Sequence, residues 1–494
     1  MMTKLLLQSV PSLRVSQANR RPVNARGDYV LYWMTAFRRS AWNFSLDRAL
    51  DWAEELKKPL LIFEALRCDY PWAGDRLHRF ILDGMADNVR SFKDTAALYY
   101  PYVEPEKGAA RGLLEALSAQ ASLIVTDDYP CFFLPRMISA AARKVDVRME
   151  TVDGNGLLPM DAATRAFPTA YAFRRFLQKE LPRFLLDQPG TAPFKGRKLK
   201  TKTPLPKSIV KRWPPASSAF LRGDSQALTG LPIDHRVKPA PQRGGSREAD
   251  RTLSEFIEDR ILRYPLDRNQ PELEGTSGLS PYLHFGHVSV HQIFRRIMEK
   301  EDWFIDRLSP KASGAKAGWW GMSEGAEGFL DELITWRELG FNMCRHRRDY
   351  DRYASLPDWA RATLQTHEMD RRPYLYGLKD FESARTHDPL WNAAQTQLVS
   401  EGRIHNYLRM LWGKKILHWT PTPEKALEIM THLNNKYALD GRDPNSYSGI
   451  FWVLGRYDRA WGPERPVFGK IRYMSSRNTA RKVRVKNYVR IYSS

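Results

Sequence analysis

The chain has 494 residues and a formal net charge of +21, from 77 Lys and Arg against 56 Asp and Glu. A hydrophobic share of 43% excludes a disordered chain, and the length exceeds one ordinary domain, so two domains with a connection between them are expected. Cys68, Cys131 and Cys344 show no CxxC or paired spacing, which argues against a disulfide framework, a zinc site or an iron–sulfur cluster.

The basic excess points to a polyanionic partner, either nucleic acid or an anionic membrane surface. The first residues, MMTKLLLQSV, hold an apolar patch too short for a signal sequence, and no run approaches a membrane span. A soluble, intracellular protein follows as an expectation.

Residues 28–165 alternate strand and helix. Tyr29–Trp33 reads as a buried strand, followed by Ser45 as an N-cap and by Leu46, Ala49, Leu50, Ala53 and Leu56 at helical spacing. Strand 59–66, helix 75–92 and strands 121–128 and 145–153 continue the rhythm. This alternation predicts an α/β, Rossmann-like domain with a parallel sheet covered by helices on both faces. No GxGxxG or P-loop sequence is present, so nucleotide binding of those kinds is not supported.

Residues 166–250 read as an interdomain linker, and from 188 it is rich in Pro, Gly, Ser and Lys. Eight basic residues and no acid lie between Thr191 and Pro215. Residues 251–475 carry helical periodicity throughout and predict an all-α domain. Residues 476–494 form a basic tail with Arg477, Arg481, Lys482, Arg484, Lys486 and Arg490 and no acid, suited to phosphate contact or simply to solubility.

Several short patterns in the helical half carry chemistry. Thr276, Ser277, Gly278, Leu279 and Ser280 precede a Pro–aromatic turn, which offers the backbone N–H groups and hydroxyls a diphosphate needs; ordinary helix starts look the same. Glu332 and Trp336 stand at i and i+4, about 6 Å apart on one helix face. A carboxylate beside an indole can read a base, though a surface Glu over a core Trp gives the same spacing. Asn406, Arg409 and Met410 fall within one turn. Trp412 and Trp419 are seven residues apart, roughly 10.5 Å of rise along a helix, which suits either electron relay or plain core. The turn-rich stretch around Asp440-Gly441-Arg442-Asp443-Pro444 is polar, as functional loops are.

Taken together, DPLWNAAQ, HNYLRMLWGKKILHW, LNNKYALDGRDP and ERPVFGKIRYM resemble the C-terminal half of the cryptochrome/photolyase family, and among its members the class II cyclobutane pyrimidine dimer photolyases. The order and spacing agree over roughly residues 260–475, and YVLYW resembles the family's first strand. The resemblance implies an α/β antenna domain at 28–165, a helical FAD-binding catalytic domain at 251–475, and light-driven repair of pyrimidine dimers flipped out of UV-damaged DNA by a monomer. It implies no metal. A second antenna chromophore of deazaflavin or folate type would sit in the N-terminal domain.

By position, the resemblance implies that Tyr264, Thr276, Ser277, Gly278, Leu279 and Ser280 hold the flavin phosphates. Arg337, Asn406 and Arg409 lie near the flavin, Asn434 beside its N5, and Asp440 and Arg442 on the loop facing its ring. Glu332, Trp336, Met410 and Trp452 would line the pocket for the dimer, with Glu332 protonated if buried, and Arg472 would fill the gap left in the duplex. Trp391, Trp412 and Trp419 would relay electrons to the flavin from the surface inward. Two features depart from the pattern: TAFRRSAWNF follows the first strand where the family is richer in polar residues, and Asn406 replaces a smaller residue. A cryptochrome-type light sensor and a six-four photoproduct enzyme share the fold. The four pocket residues favour repair over sensing, whereas His405 keeps the six-four reading open.

Overall fold

The structure is a computed structural model that describes residues 9–493. The apolar patch at Leu5–Leu7 lies outside the described residues. The chain divides into two compact units. The first comprises Met1–Ala163, Leu181–Leu253 and Leu279–Arg296; the second comprises Thr164–Glu180, Ser254–Gly278 and Ile297–Ser494.

The first unit is built on a six-stranded sheet: β1 (Val15–Gln17), β2 (Tyr29–Met34), β3 (Leu60–Leu66), β4 (Leu98–Val103), β5 (Ala121–Asp127) and β6 (Met149–Val152), in the order β1-β6-β5-β2-β3-β4. Five strands are parallel, and β1 alone runs antiparallel, against β6. The central strands are buried on both faces, so they read as unbroken apolar runs. β4 was hidden from the sequence by Pro101. That residue cannot donate to a ladder, and it is tolerated because β4 is an edge. β1 is only three residues long and borrows its order from β6.

The connections reverse direction between β2 and β5, and the crevice at their C-terminal ends is where a doubly wound sheet takes a nucleotide. Here the chain fills it with its own carboxylate. The N–H groups of Thr35, Ala36 and Phe37 all donate to Asp127 Oδ2, at 2.8, 2.7 and 2.9 Å, and the Tyr32 hydroxyl donates to Oδ1 at 2.8 Å. An internal anion thus occupies the backbone nest a phosphate would use, which accounts physically for the missing glycine-rich motif.

Helix Phe44–Glu55 begins two residues earlier than expected. Its N-cap is Asn43, not Ser45: Asn43 is extended, and its Oδ1 accepts from the N–H groups of Ser45 and Leu46 at 3.0 and 3.2 Å. Ser45 is buried inside the first turn. Helix Asp75–Phe92 has the expected bounds.

The segment read as one linker is shared between the units. Helix Ala170–Glu180 belongs to the second. Residues 181–253 belong to the first, where Leu205, Ile209 and Trp213 enter the core that holds Tyr29 and Leu31. The Trp213 indole N–H donates to the Ala109 carbonyl at 2.8 Å. Widely spaced apolar anchors therefore seat a stretch whose composition reads as solvated.

The second unit is helical. Three of its helices start with the same device, a side-chain cap followed by proline at N1: Asp388 before Pro389–Glu401, Thr422 before Pro423–Tyr437 and Asp443 before Pro444–Val453. The basic tail forms helices Ser476–Lys482 and Lys486–Tyr492. Tyr488 and Tyr492 donate to Gln397 and Glu401 on helix Pro389–Glu401, at 2.8 and 2.5 Å. Among the described residues, no helix is long and apolar enough to cross a membrane, and no group of His, Cys, Asp and Glu is placed to hold a metal ion.

Candidate functional site

Helix Asn406–His418 and helix Pro423–Tyr437 bring three of the expected residues into one network. Arg409 Nη1 donates to Asn434 Oδ1 at 3.2 Å, and its Nη2 reaches both oxygens of Asp440, at 3.2 and 3.3 Å. Asn434 Nδ2 donates to Ser446 Oγ at 2.7 Å and to Asn435 Oδ1 at 3.2 Å. Both amide hydrogens are therefore committed, while Oδ1 keeps a lone pair for a further donor. Asn435 in turn accepts from the Arg442 N–H and donates to the Tyr447 hydroxyl. Ser446, Asn435 and Tyr447 escaped the sequence reading because a Ser or Tyr in a helical run looks like any other.

Arg442 closes this loop from within. Its φ is +65°, and its buried guanidinium donates to the carbonyls of Asn435, Ala438 and Leu439. Those bonds hold the turn carrying Asp440 in shape, so Arg442 is bound into its own loop rather than presented on it. Asn406 is exposed at the first turn of its helix and takes no part in the hydrogen bonds around Arg409.

Arg337 heads helix Arg337–His346 and is buried, its guanidinium 4.4 Å from the Phe341 ring centroid. Tyr264 is buried among Phe256 and Phe329, which pushes its phenol well above its usual range. Its hydroxyl has no hydrogen-bond partner among the described residues. The Thr276 carbonyl accepts from Arg260 Nη1 at 3.0 Å, and Gly278 takes the left-handed conformation at φ +71°. Leu279 and Ser280 open the short helix Ser280–His284, which is assigned to the first unit.

The expected pocket residues fall on three helical stretches, Met410 on helix Asn406–His418 and Trp452 on helix Pro444–Val453. Glu332 and Trp336 lie on a π-helical turn, Asp331–Trp336, inside an otherwise α-helical run, a distortion that recurs at functional sites. Glu332 is ion-paired: its Oε1 accepts from Arg268 Nη1 at 2.6 Å, and its side chain is 33% exposed. The burial on which a protonated form was made conditional is not met, and Arg268, 64 positions away, is brought beside the carboxyl. Asp331 anchors the same turn through Arg174, whose Nε and Nη2 donate to its two oxygens at 2.7 and 3.0 Å.

Met410 packs against helix Pro444–Val453, which carries Trp452: a side chain at Gly449 would begin 4.0 Å from Met410 Cε. The Trp452 ring is flanked by two cations, Lys414 Nζ at 4.9 Å and the Arg472 guanidinium at 5.3 Å from its centroid. Arg472 also lies 4.0 Å from the Trp461 centroid and is tied to Asp458 by two hydrogen bonds. Lys414 is fully buried, donates to the Val453 carbonyl at 2.6 Å, and is lowered by burial to a pKa of about 7. His405 is likewise lowered by burial, to about 4.

The three tryptophans expected to form a relay are connected. The Trp391 indole N–H donates to the Trp412 carbonyl at 3.0 Å, and the Trp391 and Trp419 rings lie 6.0 Å apart. Trp412 donates to Gln395 Oε1 at 2.9 Å. The order is thus Trp412, Trp391, Trp419. None of them reaches the surface, where the relay was expected to begin: Trp419 is 1% exposed, at the C-cap of its helix beneath Tyr376 and His387.

Curated relatives span nearly the whole chain. A deoxyribodipyrimidine photo-lyase from Methanothermobacter thermautotrophicus is 34% identical over 96% of this chain and 97% of its own length. The chain belongs to the photolyase family. Photolyases from Arabidopsis thaliana (32% identical, 95% of this chain, 90% of that protein) and Potorous tridactylus (31%, 93% and 80%) agree. No family model matches the chain. The fold is also that of a bacterial class III photolyase from Agrobacterium tumefaciens, with a TM-score of 0.63 at 16% identity, over 94% of this chain and 86% of that one. Members of the family bind FAD and repair cyclobutane pyrimidine dimers with light, acting on UV-damaged DNA.

Proposed function

We propose that this chain is a photolyase of class II type that receives a flipped pyrimidine dimer beside FAD in its helical unit. The supporting observation is that one helix, Asn406–His418, carries Arg409 of the buried polar network together with Met410 and Trp412, the residues matched to the dimer pocket and the electron relay. Cofactor, substrate and electron supply would then share a single rigid element, as positioned chemistry requires.

The residues present fit a flavin. The Tyr264 hydroxyl without a partner and the hydroxyl-rich turn at Thr276–Ser280 suit a diphosphate, and the open lone pair of Asn434 Oδ1 suits a ring N–H donor. When bound and reduced, FAD supplies the electron that opens the cyclobutane ring after excitation by light. Asn434, fixed as an acceptor by Ser446, Asn435 and Arg409, favours the protonated N5 of the reduced form. Asp440 holds Arg409 in place, and Arg409 supplies a positive charge at the same end of the network.

On the substrate side, Trp452 and Trp336 offer flat apolar faces for the dimer and Met410 an adaptable one. Glu332 accepts a hydrogen bond from a base edge while Arg268 keeps it oriented. The basic surface binds phosphates without regard to sequence, and poor stacking at the lesion lowers the cost of flipping it out. Repair of a cyclobutane-dimer oligonucleotide by photoreduced protein, in blue light and in darkness, tests this reading. Light-dependent loss of the dimer is expected. Bound, reducible flavin with no repair in light refutes it.

A further inference from the structure

The loop at 458–472 carries Trp461 and Arg472 packed on each other, and its residues 459–466 form a largely exposed arm. The rest of the loop is anchored in the helical unit. Val467, Phe468 and Ile471 are buried, and the Lys470 N–H donates to Thr363 Oγ1 of helix Asp358–Thr366 at 3.0 Å. Val467, though β-branched, is held at φ +70° by the bond its N–H makes to Asp370 Oδ2 at 2.8 Å. A Cβ at Gly469 would meet Thr363 Oγ1 and, at 2.6 Å, His367 Cδ2, so the loop backbone lies directly on the imidazole. At this junction His367 Nδ1 is 2.7 Å from the same Asp370 oxygen, and its Nε2 is 3.4 Å from Glu464 Oε2. Glu464 is the one carboxylate of the arm.

We propose that His367 is a positioning residue for duplex binding: with both ring nitrogens protonated it ties the arm to the helical unit, and on losing one proton it lets the arm go. This rests on the reading of Arg472 as the residue that fills the gap left by the flipped dimer, and it names what keeps Trp461 and Arg472 together for that task. A doubly protonated ring donates to Asp370 and Glu464 at once. A neutral ring has one N–H, and Asp370, at the shorter distance, takes it. Nε2 then turns a lone pair toward the Glu464 carboxylate, and attraction becomes repulsion. Lys470 Nζ stays 3.2 Å from Glu464 Oε1 in either state, but Lys470 belongs to the loop itself and cannot tie the arm to the helix.

The charged groups at the junction set the pH range. The hydrogen bond to Asp370 raises the His367 pKa above its ordinary value; burial opposes that rise, and Glu464 adds to it. Arg372 donates to the Asp370 carbonyl at 2.9 Å, so with Lys470 one cation stands behind each carboxylate. His418, whose ring packs on Phe468 at 5.4 Å, is lowered by burial to about 4 and stays neutral. Lys414, beside Trp452, is lowered by burial to about 7 and shares the field of Asp458 and Arg472, so it titrates in the same range. Because the folded pKa of His367 is raised, the clamp is closed below the ordinary histidine value of about 6.5 and opens as the pH rises through the higher folded value.

The test compares the affinity of the flavin-loaded full chain for a cyclobutane dimer in duplex with that for the same dimer in a single-stranded oligonucleotide, which has no gap to fill. The ratio of the two affinities is measured at about pH 6 and about pH 9, at constant ionic strength, on either side of the histidine range. At the lower pH, Glu464→Gln and His367→Asn should each reduce the ratio by about twofold to fivefold, the scale of an exposed ion pair. At the higher pH they should leave it as in the unaltered protein, a difference that the titration of Lys414 cannot produce. His367→Arg, a permanent cation, should raise the ratio at the higher pH. A Glu464→Gln effect that is absent at the lower pH, or as large at the higher one, overturns the clamp. Arg472→Ala separates the clamp from the reading beneath it, since it should lower the ratio at both pH values. If it does so while Glu464→Gln fails as stated, gap filling stands without the clamp; an unchanged ratio in Arg472→Ala overturns both.

Discussion

Asp331→Ala isolates what holds the proposed dimer pocket in place. Asp331 is the first residue of the π-helical turn that carries Glu332 and Trp336, and it receives two hydrogen bonds from Arg174 on helix Ala170–Glu180. Both side chains are nearly buried, at 5% and 11% exposure. Removing the carboxylate leaves the guanidinium one contact, to the Gly314 carbonyl at 3.5 Å. An uncompensated buried charge of this kind costs about 3–5 kcal/mol. Asp331→Asn keeps an acceptor and should cost about 1.5–3 kcal/mol, the worth of a hydrogen bond to a charged group. The double variant Arg174→Met/Asp331→Leu replaces the pair with apolar groups and should recover most of the loss. Denaturant unfolding of the flavin-loaded protein, followed by tryptophan fluorescence, gives the three values. Binding of a dimer-containing oligonucleotide should weaken in Asp331→Ala with flavin retained. A loss below about 1 kcal/mol for Asp331→Ala, or a double variant as unstable as the sum of the single ones, would refute the reasoning.

Glu332→Ala should keep its flavin and lose repair yield by about tenfold to a hundredfold, the equivalent of one charged hydrogen bond, measured as dimers split per photon absorbed. Lys414 gives a pH signature. Its folded pKa of about 7 lies below the ordinary value of 10.5, so between those limits the unfolded chain binds the extra proton. Stability should therefore rise with pH from about 7 toward 10, by at most about 1.4 kcal/mol per pH unit, and Lys414→Met should flatten that rise in denaturant titrations at several pH values. Affinity for undamaged duplex should fall with salt along a log–log slope of about −0.9 per phosphate contacted, and charge reversal at Arg477 and Arg481 on helix Ser476–Lys482 should reduce the slope.

Strand and helix periodicity carried the first unit well where strands are buried on both faces, and failed where local chemistry overrode the pattern. Pro101 hid an edge strand, and β1 exists only because β6 offers a ladder. The catalytic half was legible differently. Arg409, Asn434 and Asp440 came from a family resemblance, because their sequence separations of 25 and 31 residues carry no periodic signal. Partners supplied by distant chain were invisible: Arg268 beside Glu332, Arg174 beside Asp331 and Tyr376 over Trp419.

The charged groups around the marked residues bear on how the site works. Arg268 holds the Glu332 carboxyl oxygen in a fixed orientation, and Lys415, 5.1 Å from the Trp419 ring centroid, makes that buried indole a poor place for a positive charge. Arg442 spends its charge on its own loop carbonyls, which leaves Arg409 as the cation of the polar network. The marked residues fix which chemistry is available, and their partners fix the charge and protonation with which it runs. A pairwise test follows from that division. Arg268→Met should reproduce the repair defect of Glu332→Ala, and the two changes combined should cost little more than either alone, because both remove one interaction. Additive losses in quantum yield would mean that Glu332 acts on the dimer independently of Arg268, and that the ion pair is only scaffolding.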